Sequence, residues 1–356
     1  MSKRKRAWID VLTSKQGILL GTLARELISR GFDVLVTCRE YEYACKVLDA
    51  LRVPHLSVGK YSEGEPVAKV YEDGLRVSAL ASIVRDFSPE YLIAYPNPSA
   101  ARVAFGVGIK YIALTDSPHA VIPSRLSLPL ADFVVFSECI PVDEVEHYVS
   151  RKFTKLVTYR GVDEVGWIKR LEPKEEDLRS LGLKPWEYIV FRPAEEMATY
   201  YRGLNILSAH EVLQVLAKLG YEIVLLPRYS KHRELEKEGV IVLEEGFSGP
   251  SLTYFAKLVV TGGASIAREA ALLGTPSITY TPLELHVNLC LESWGFPLVR
   301  VKSLPELEAV SRDMVERSTS SDRALYVSKA KSLEDPLTTV ERILTGDSTC
   351  GSSVIS

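Results

Sequence analysis

The stretch "VVTGGASIAREAALLGTPSITYTP", residues 259–282, decides how the chain is read. An apolar run meets Gly262-Gly263, passes into a helical pattern through Ala270-Ala271, stops at Gly274-Thr275-Pro276 and enters a second apolar run. That is strand, tight turn, helix and strand again, which requires a crossover connection and hence a parallel sheet. Glycine permits backbone angles that a side chain forbids and lets a ligand approach the main chain closely. The helix start that follows offers free N–H groups and a partial positive charge. Together they suit a phosphate or diphosphate. The plain alternative is a tight turn with no ligand, since glycine turns are common between strand and helix.

The same alternation runs through the rest of the chain. Strand patterns are read at 7–11, 33–37, 55–59, 91–95, 111–114, 133–136 and 155–159, and again at 188–191, 222–226, 240–243, 258–261 and 276–280. Helical patterns fill the gaps, among them 203–219, 230–238, 264–273, 284–294 and 305–316. Strands fed by helices predict parallel sheets covered on both faces. Two such series predict two Rossmann-like domains, an α/β architecture. The expected boundaries are 1–165 for the first domain, 166–186 for a charge-rich linker holding Pro173 and Pro185, 187–346 for the second domain, whose last helical pattern, 337–345, could instead pack back on the first, and 347–356 for a disordered tail. In open parallel sheets ligands bind beyond the carboxyl ends of the strands. A cleft shared by the two domains is therefore the expected site.

Composition narrows the function classes. The 356 residues are 46% apolar and 25% charged with a net charge of −3, which gives no basic footprint for nucleic acid. The basic start Lys3-Arg4-Lys5-Arg6 reads as a solvated terminus. No apolar run reaches the length of a membrane span, and Asp10 and Lys15 interrupt any signal-peptide core. Peripheral contact with a membrane stays open, and so does the oligomeric state. Cys38, Cys45, Cys139, Cys290 and Cys350 show no metal-ligand spacing, so reduced thiols and a cytoplasmic location are expected.

Three charged residues stand near the glycine turn. Glu269 falls in the helix six residues after Gly263, where a carboxylate can accept both hydroxyls of a ribose. The other reading is a surface glutamate paired with Arg268 or solvent. Arg192 follows the strand at 188–191 and Arg228 follows that at 222–226. Either guanidinium could clamp a phosphate or serve a structural salt bridge.

The pattern from Gly263-Ala264 through Glu269 to Gly274 and Pro276 resembles the nucleotide-sugar signature of GT-B glycosyltransferases. It is also similar to that of the non-hydrolysing UDP-N-acetylglucosamine 2-epimerases. More broadly, "WIDVLT", "RGFDVLVTCREYE", "YRGVDEVGW", "FRPAEEMATYY", "LLPRY" and "GGASIAREAALLGTPSITY" resemble a mostly archaeal family of GT-B-like proteins, domain of unknown function 354. The resemblance covers nearly the whole chain. It implies a GT-B-like pair of Rossmann-like domains facing a central cleft. It also implies that Gly262, Gly263, Ala264 and Ser265 bind a donor diphosphate, that Glu269 binds the ribose and that His286 and Asn288 lie near the donor sugar.

Candidates for the chemistry lie elsewhere. The loop "ALTDSPHAVIPSR" holds Asp116, Ser117, His119 and Arg125, and a carboxylate–imidazole pair from Asp116 and His119 can act as general base. The first strand-to-helix loop holds Lys15 but neither a histidine nor a double glycine, a departure from many GT-B transferases. Asp10 stands within the strand before it. Glu195-Glu196 and Tyr200-Tyr201 could recognise sugar hydroxyls or cap the next helix. There is no Asp-x-Asp, no Walker A loop and no G-x-S-x-G elbow. The expectation is a metal-independent glycosyltransferase with a UDP-sugar donor, an unknown acceptor and no cofactor. A UDP-sugar 2-epimerase and a non-catalytic nucleotide-sugar-binding protein are the alternatives.

Overall fold

The computed structural model of the chain describes residues 4–41, 43–62, 65–195, 203, 205–236, 239–243, 249–317, 322–346 and 353–355. It divides into two compact units, Met1–Trp167 with Glu334–Ser356, and Ile168–Leu333.

Among the described residues the first unit is built on eight strands. They are β1 Arg6–Val11, β2 Asp33–Glu40, β3 Leu56–Lys60, β4 Tyr91–Ala94, β5 Lys110–Thr115, β6 Phe133–Ser137, β7 Lys155–Tyr159 and, from the far end of the chain, β14 Ser353–Ile355. Their order is β14-β7-β6-β5-β4-β1-β2-β3, and every pair but β14–β7 is parallel. The central strands are apolar on both faces, with Ala7, Trp8, Ile9 and Val11 wholly buried, because helices cover both sides. The strand order reverses between β1 and β4, where Asp10 stands beside Ala94.

The second unit carries β8 Tyr188–Arg192, β9 Glu222–Leu225, β10 Val240–Val242, β11 Leu258–Thr261, β12 Ser277–Thr279 and β13 Leu298–Arg300. All six are parallel in the order β10-β9-β8-β11-β12-β13. Alternate residues feed two cores. Ile189 and Phe191 pack with Val212, Leu216 and Val260, whereas Tyr188 and Val190 pack with Leu252, Val259 and Ala270. The reversal here lies between β8 and β11, with Arg192 beside Thr261.

The observed boundaries differ from the expected ones at both joins. The segment 166–186 is not only a connector, for Leu178 and Leu183 are buried in the core of the second unit with Tyr188. At the other end the chain returns to the first unit at Glu334, so the second unit stops before residue 346. The returning helix Pro336–Thr345 has proline in its first turn, an Asp335 cap accepting from the Thr338 N–H at 3.0 Å, and Gly346 at φ +73° after its end. Its Leu337, Val340 and Leu344 recur at helical spacing and are buried. Glu334 and Arg160 exchange backbone and carboxylate hydrogen bonds of 2.9 and 2.7 Å, and Lys5 donates to the Leu344 carbonyl at 2.7 Å. The tail, expected to be disordered over 347–356, supplies β14 at the edge of the sheet. An edge strand offers unpaired N–H and C=O groups that a short segment can fill without apolar periodicity.

Cys38 at the end of β2 and Cys45 on the helix Ala44–Ala50 are joined as a disulfide with Cα atoms 5.7 Å apart. This corrects the expectation of reduced thiols for that pair. A C-x6-C spacing carries no pairing signal until the helix folds back beside the strand end. Among the described residues no helix is long and apolar enough to cross a membrane.

Candidate functional site

The glycine turn lies where the second sheet reverses its strand order. Gly262 donates its N–H to the Arg192 carbonyl at 3.0 Å, which ties β11 to the end of β8. A Cβ on Gly262 would meet Ala194 at 2.4 Å, so glycine is required here for space. Neither Gly262 nor Gly263 has a positive φ, and the backbone freedom expected of them is not what the turn uses. Gly263 donates to Thr261 Oγ1 at 3.0 Å and accepts from Thr279 Oγ1 at 2.9 Å. These two threonines at the ends of β11 and β12 hold the turn open toward the helix Ser265–Leu272. That helix begins after Ala264, which has no side chain able to cap it.

Arg228 reaches the same turn. A Cβ on Gly263 would stand 3.0 Å from the guanidinium of Arg228. The Arg228 Nε donates to the Pro193 carbonyl at 2.8 Å, and a guanidinium nitrogen lies 3.6 Å from Glu195. The cation is thus braced over Gly263 by the loop that follows β8. Arg192 itself is buried, with 8% exposure.

Glu269 is buried at 6% exposure, which removes the surface-glutamate reading. Its carboxylate accepts from Thr253 Oγ1 at 2.7 Å on the helix Gly249–Tyr254, and a Cβ on Gly249 would lie 3.6 Å from that carboxylate. His286 is exposed at the start of the helix His286–Ser293. Two residues on, Asn288 is buried, and among the described residues neither atom of its amide has a hydrogen-bond partner. Such a group is costly to bury unless something pairs with it. Glu196, Tyr200 and Tyr201 lie outside the described residues.

A second polar group gathers at the carboxyl ends of the first sheet. Lys15, in the first turn of the helix Ser14–Ser29, pairs with Asp116 and lies 2.6 Å from Asp163. Asp116 directly follows β5 and also accepts from Ser117 Oγ at 2.8 Å. Asp163 accepts from the hydroxyls of Tyr95 and Tyr159, at the ends of β4 and β7. Burial and the Asp163 charge push both phenols well above their ordinary pKa, so they are donors. One ammonium therefore holds two carboxylates. Asp163 is enclosed, while Asp116 and Lys15 keep 13% and 15% side-chain exposure.

Sequence reading singles out Asp116, but Asp163, Tyr95 and Tyr159 come from strand ends far apart in the chain. The signal available for them is position, one polar residue at or just past the end of each strand. His119 is half-buried in the turn after Asp116, and Arg125 is exposed on the helix Val121–Ser127. Asp10 has a different role. It is fully buried, pairs with Arg76 at 2.7 Å and accepts from Thr37 and Asn97, which makes it the anchor between β1, β2 and the helix Pro66–Phe87.

Known proteins share this fold. The chain is similar to the UDP-GlcNAc 2-epimerase of Methanocaldococcus jannaschii, solved with UDP-GlcNAc and UDP, at 12% identity and a TM-score of 0.69 over 97% of this chain and 100% of that one. A putative UDP-N-acetylglucosamine 2-epimerase from Listeria monocytogenes gives 11% identity and a TM-score of 0.71 over 99% and 100%. A glycosyltransferase of kitacinnamycin gives 13% identity and 0.62 over 97% and 99%. The architecture is therefore the GT-B-like one. An uncharacterised protein of Methanocaldococcus jannaschii is 25% identical over 285 residues, 78% of this chain and 82% of its own length. A family model matches residues 5–291, and the chain belongs to that family, described as a protein of unknown function, DUF354.

Proposed function

We propose that the chain is a metal-independent glycosyltransferase that takes its sugar from a nucleotide diphosphate donor, a UDP-sugar. The observation that carries this reading is the Arg228 guanidinium braced over a glycine turn, at the strand-order reversal, in front of a helix start with no side-chain cap. A diphosphate finds there N–H donors and a braced cation. Glu269 serves the ribose and the orphaned amide of Asn288 serves the sugar. The solved structures of similar fold that hold UDP-GlcNAc and UDP support the choice of nucleotide.

In the reaction an acceptor hydroxyl oxygen attacks the anomeric carbon and its proton passes to a carboxylate, a role for which Asp116 is the first unit's candidate. The bond from that carbon to the diphosphate oxygen breaks, and the electron pair leaves with the diphosphate. Arg228 and the N–H groups at the start of Ser265–Leu272 hold the charge that develops. Lys15 keeps Asp116 oriented beside Asp163.

The Lys15–Asp116–Asp163 group favours one second reading, 2-epimerisation of the same donor. Inverting a carbon centre needs a proton removed on one side and returned on the other, and Asp116 and Lys15, the members with side-chain exposure, offer a base and an acid for that. The test is calorimetric titration with UDP beside GDP, ADP and NAD, followed by incubation with UDP-sugars in deuterated water. Selective UDP binding with acceptor-dependent donor consumption supports transfer. Deuterium at C2 without an acceptor supports epimerisation instead. Binding without turnover leaves a nucleotide-sugar-binding protein, and no binding of any of the four removes the nucleotide reading.

A further inference from the structure

Cys38, Cys45 and His55 meet at one corner of the first sheet. Cys38 lies near the end of β2, Cys45 on the helix that links β2 to β3, and His55 immediately precedes β3. The two sulfur atoms and a ring nitrogen of His55 all lie within 4.8 Å of one another. Cys38 is fully buried and the other two are half-buried, so the cluster is sheltered yet reachable.

A backbone carbonyl holds the histidine ring. Its Nδ1 lies 2.9 Å from the Val53 carbonyl, an acceptor, so Nδ1 carries the proton and the lone pair is on Nε2. A carbonyl behind the imidazole is the partner that ligating histidines use to fix tautomer and ring plane. On the Nε2 side stands the Asp49 carboxylate, 3.8 Å away and mostly exposed. Two thiols, an oriented imidazole and a nearby carboxylate or water make four donors of mixed sulfur, nitrogen and oxygen character. That set suits a borderline-soft divalent ion in a tetrahedron.

We infer that, when the Cys38–Cys45 disulfide is reduced, Cys38, Cys45 and His55 form a binding site for Zn2+. Reduction by a dithiol or a phosphine supplies two electrons and leaves two thiols, the reductant being oxidised in turn. Zn2+ then replaces the two thiol protons, which pass to solvent, and His55 adds its Nε2 lone pair without a proton change. Two thiolates on one zinc stand about 3.8 Å apart, given Zn–S bonds of ~2.3 Å. Side-chain rotation at Cys45, on a short helix near the surface, supplies that separation. Disulfide and zinc are thus mutually exclusive occupants of one corner. This site is independent of the nucleotide reading, since none of its residues belongs to the polar groups described above.

The test uses the full chain, reduced with a phosphine and desalted without oxygen. Zinc titration against a chromophoric chelator is expected to give about one equivalent bound, with about two protons released. Co2+ in its place is expected to give a thiolate charge-transfer band. Oxidised protein and Cys45→Ser are expected to lose the stoichiometric binding and the band, and His55→Ala to weaken zinc at least tenfold. Cys139→Ser, which leaves the cluster whole, is expected to bind as the parent does. Circular dichroism checks that each variant is folded; should Cys45→Ser not fold, His55→Ala decides alone. Failure of the reduced chain to bind zinc overturns the site, and so does a folded Cys45→Ser or His55→Ala chain that binds as tightly as the parent.

Discussion

Lys15 Nζ lies 2.6 Å from Asp163 Oδ2 while also pairing with Asp116, so a single cation joins the carboxylates that follow β5 and β7. Removing it as Lys15→Met leaves two acids sharing one sheltered space. Breaking one partner from such a group is expected to cost about 3–5 kcal/mol in urea unfolding. The double variant Lys15→Met/Asp116→Asn is expected to recover a good part of that loss. Simple additivity of the two changes would mean that Lys15 and Asp116 do not communicate.

The buried phenols set an alkaline limit. Tyr95, Tyr111 and Tyr159 have pKa values raised above the ordinary 10.0, with burial as the largest cause. Above that value the unfolded chain loses phenol protons that the folded chain retains. The unfolded state then binds fewer protons, so stability falls as pH rises, by about 1.4 kcal/mol per pH unit for each group. Below about pH 10 their contribution is fully present. Absorbance at the phenolate band during an alkaline titration is expected to show these phenols ionising only on unfolding.

Gly262 and Gly263 respond differently to a methyl group. At Gly262 the new carbon meets the backbone of Ala194, and Gly262→Ala is expected to cost about 1–3 kcal/mol in stability. At Gly263 it crowds the guanidinium end of Arg228, which has to give by a few tenths of an ångström within its braced position. Gly263→Ala is expected to keep its melting temperature and to bind UDP about tenfold more weakly, a loss of ~1.4 kcal/mol. Calorimetry of unfolding and of binding separates the two. Unchanged UDP affinity in a folded Gly263→Ala would take Arg228 out of the nucleotide site.

Glu269→Ala is expected to weaken nucleotide binding by about 1–3 kcal/mol, the cost of unmatched buried polar partners. Thr253→Val removes one hydrogen bond to the same carboxylate and leaves its charge in place. A smaller loss is expected for it, measured in the same titration.

Asn288→Leu is expected to stabilise the protein by about 1 kcal/mol, because an unpaired buried amide is replaced by an apolar side chain. It is expected at the same time to weaken UDP-sugar binding more than UDP binding. Equal affinity for the sugar donor would show that Asn288 serves neither the sugar nor its diphosphate.

Much of this architecture is legible because parallel strands buried on both faces read as short β-branched runs. The signal is strong at "FVVF" and "LVVT", which lie in β6 and β11. β13 escapes it, since "LVR" is three residues with a charge at its end. The return of Glu334–Ser356 escapes it for another reason. Amphipathic spacing over Leu337, Val340 and Leu344 shows that a helix buries one face, but not against which sheet. At the site, the glycines and Glu269 stand out locally, whereas the Lys15 group is assembled from Lys15, Tyr95, Asp116, Tyr159 and Asp163, whose proximity depends on strand order.

The return of the chain to its first unit has a consequence for synthesis. Residues leave the ribosome from the amino end, so the first unit waits, lacking one helix and its edge strand, while all of Ile168–Leu333 is made. The second unit is continuous and can fold as soon as it emerges. The amino-terminal half is therefore begun first and finished last, and through that interval the outer edge of β7 is exposed to pairing with another chain.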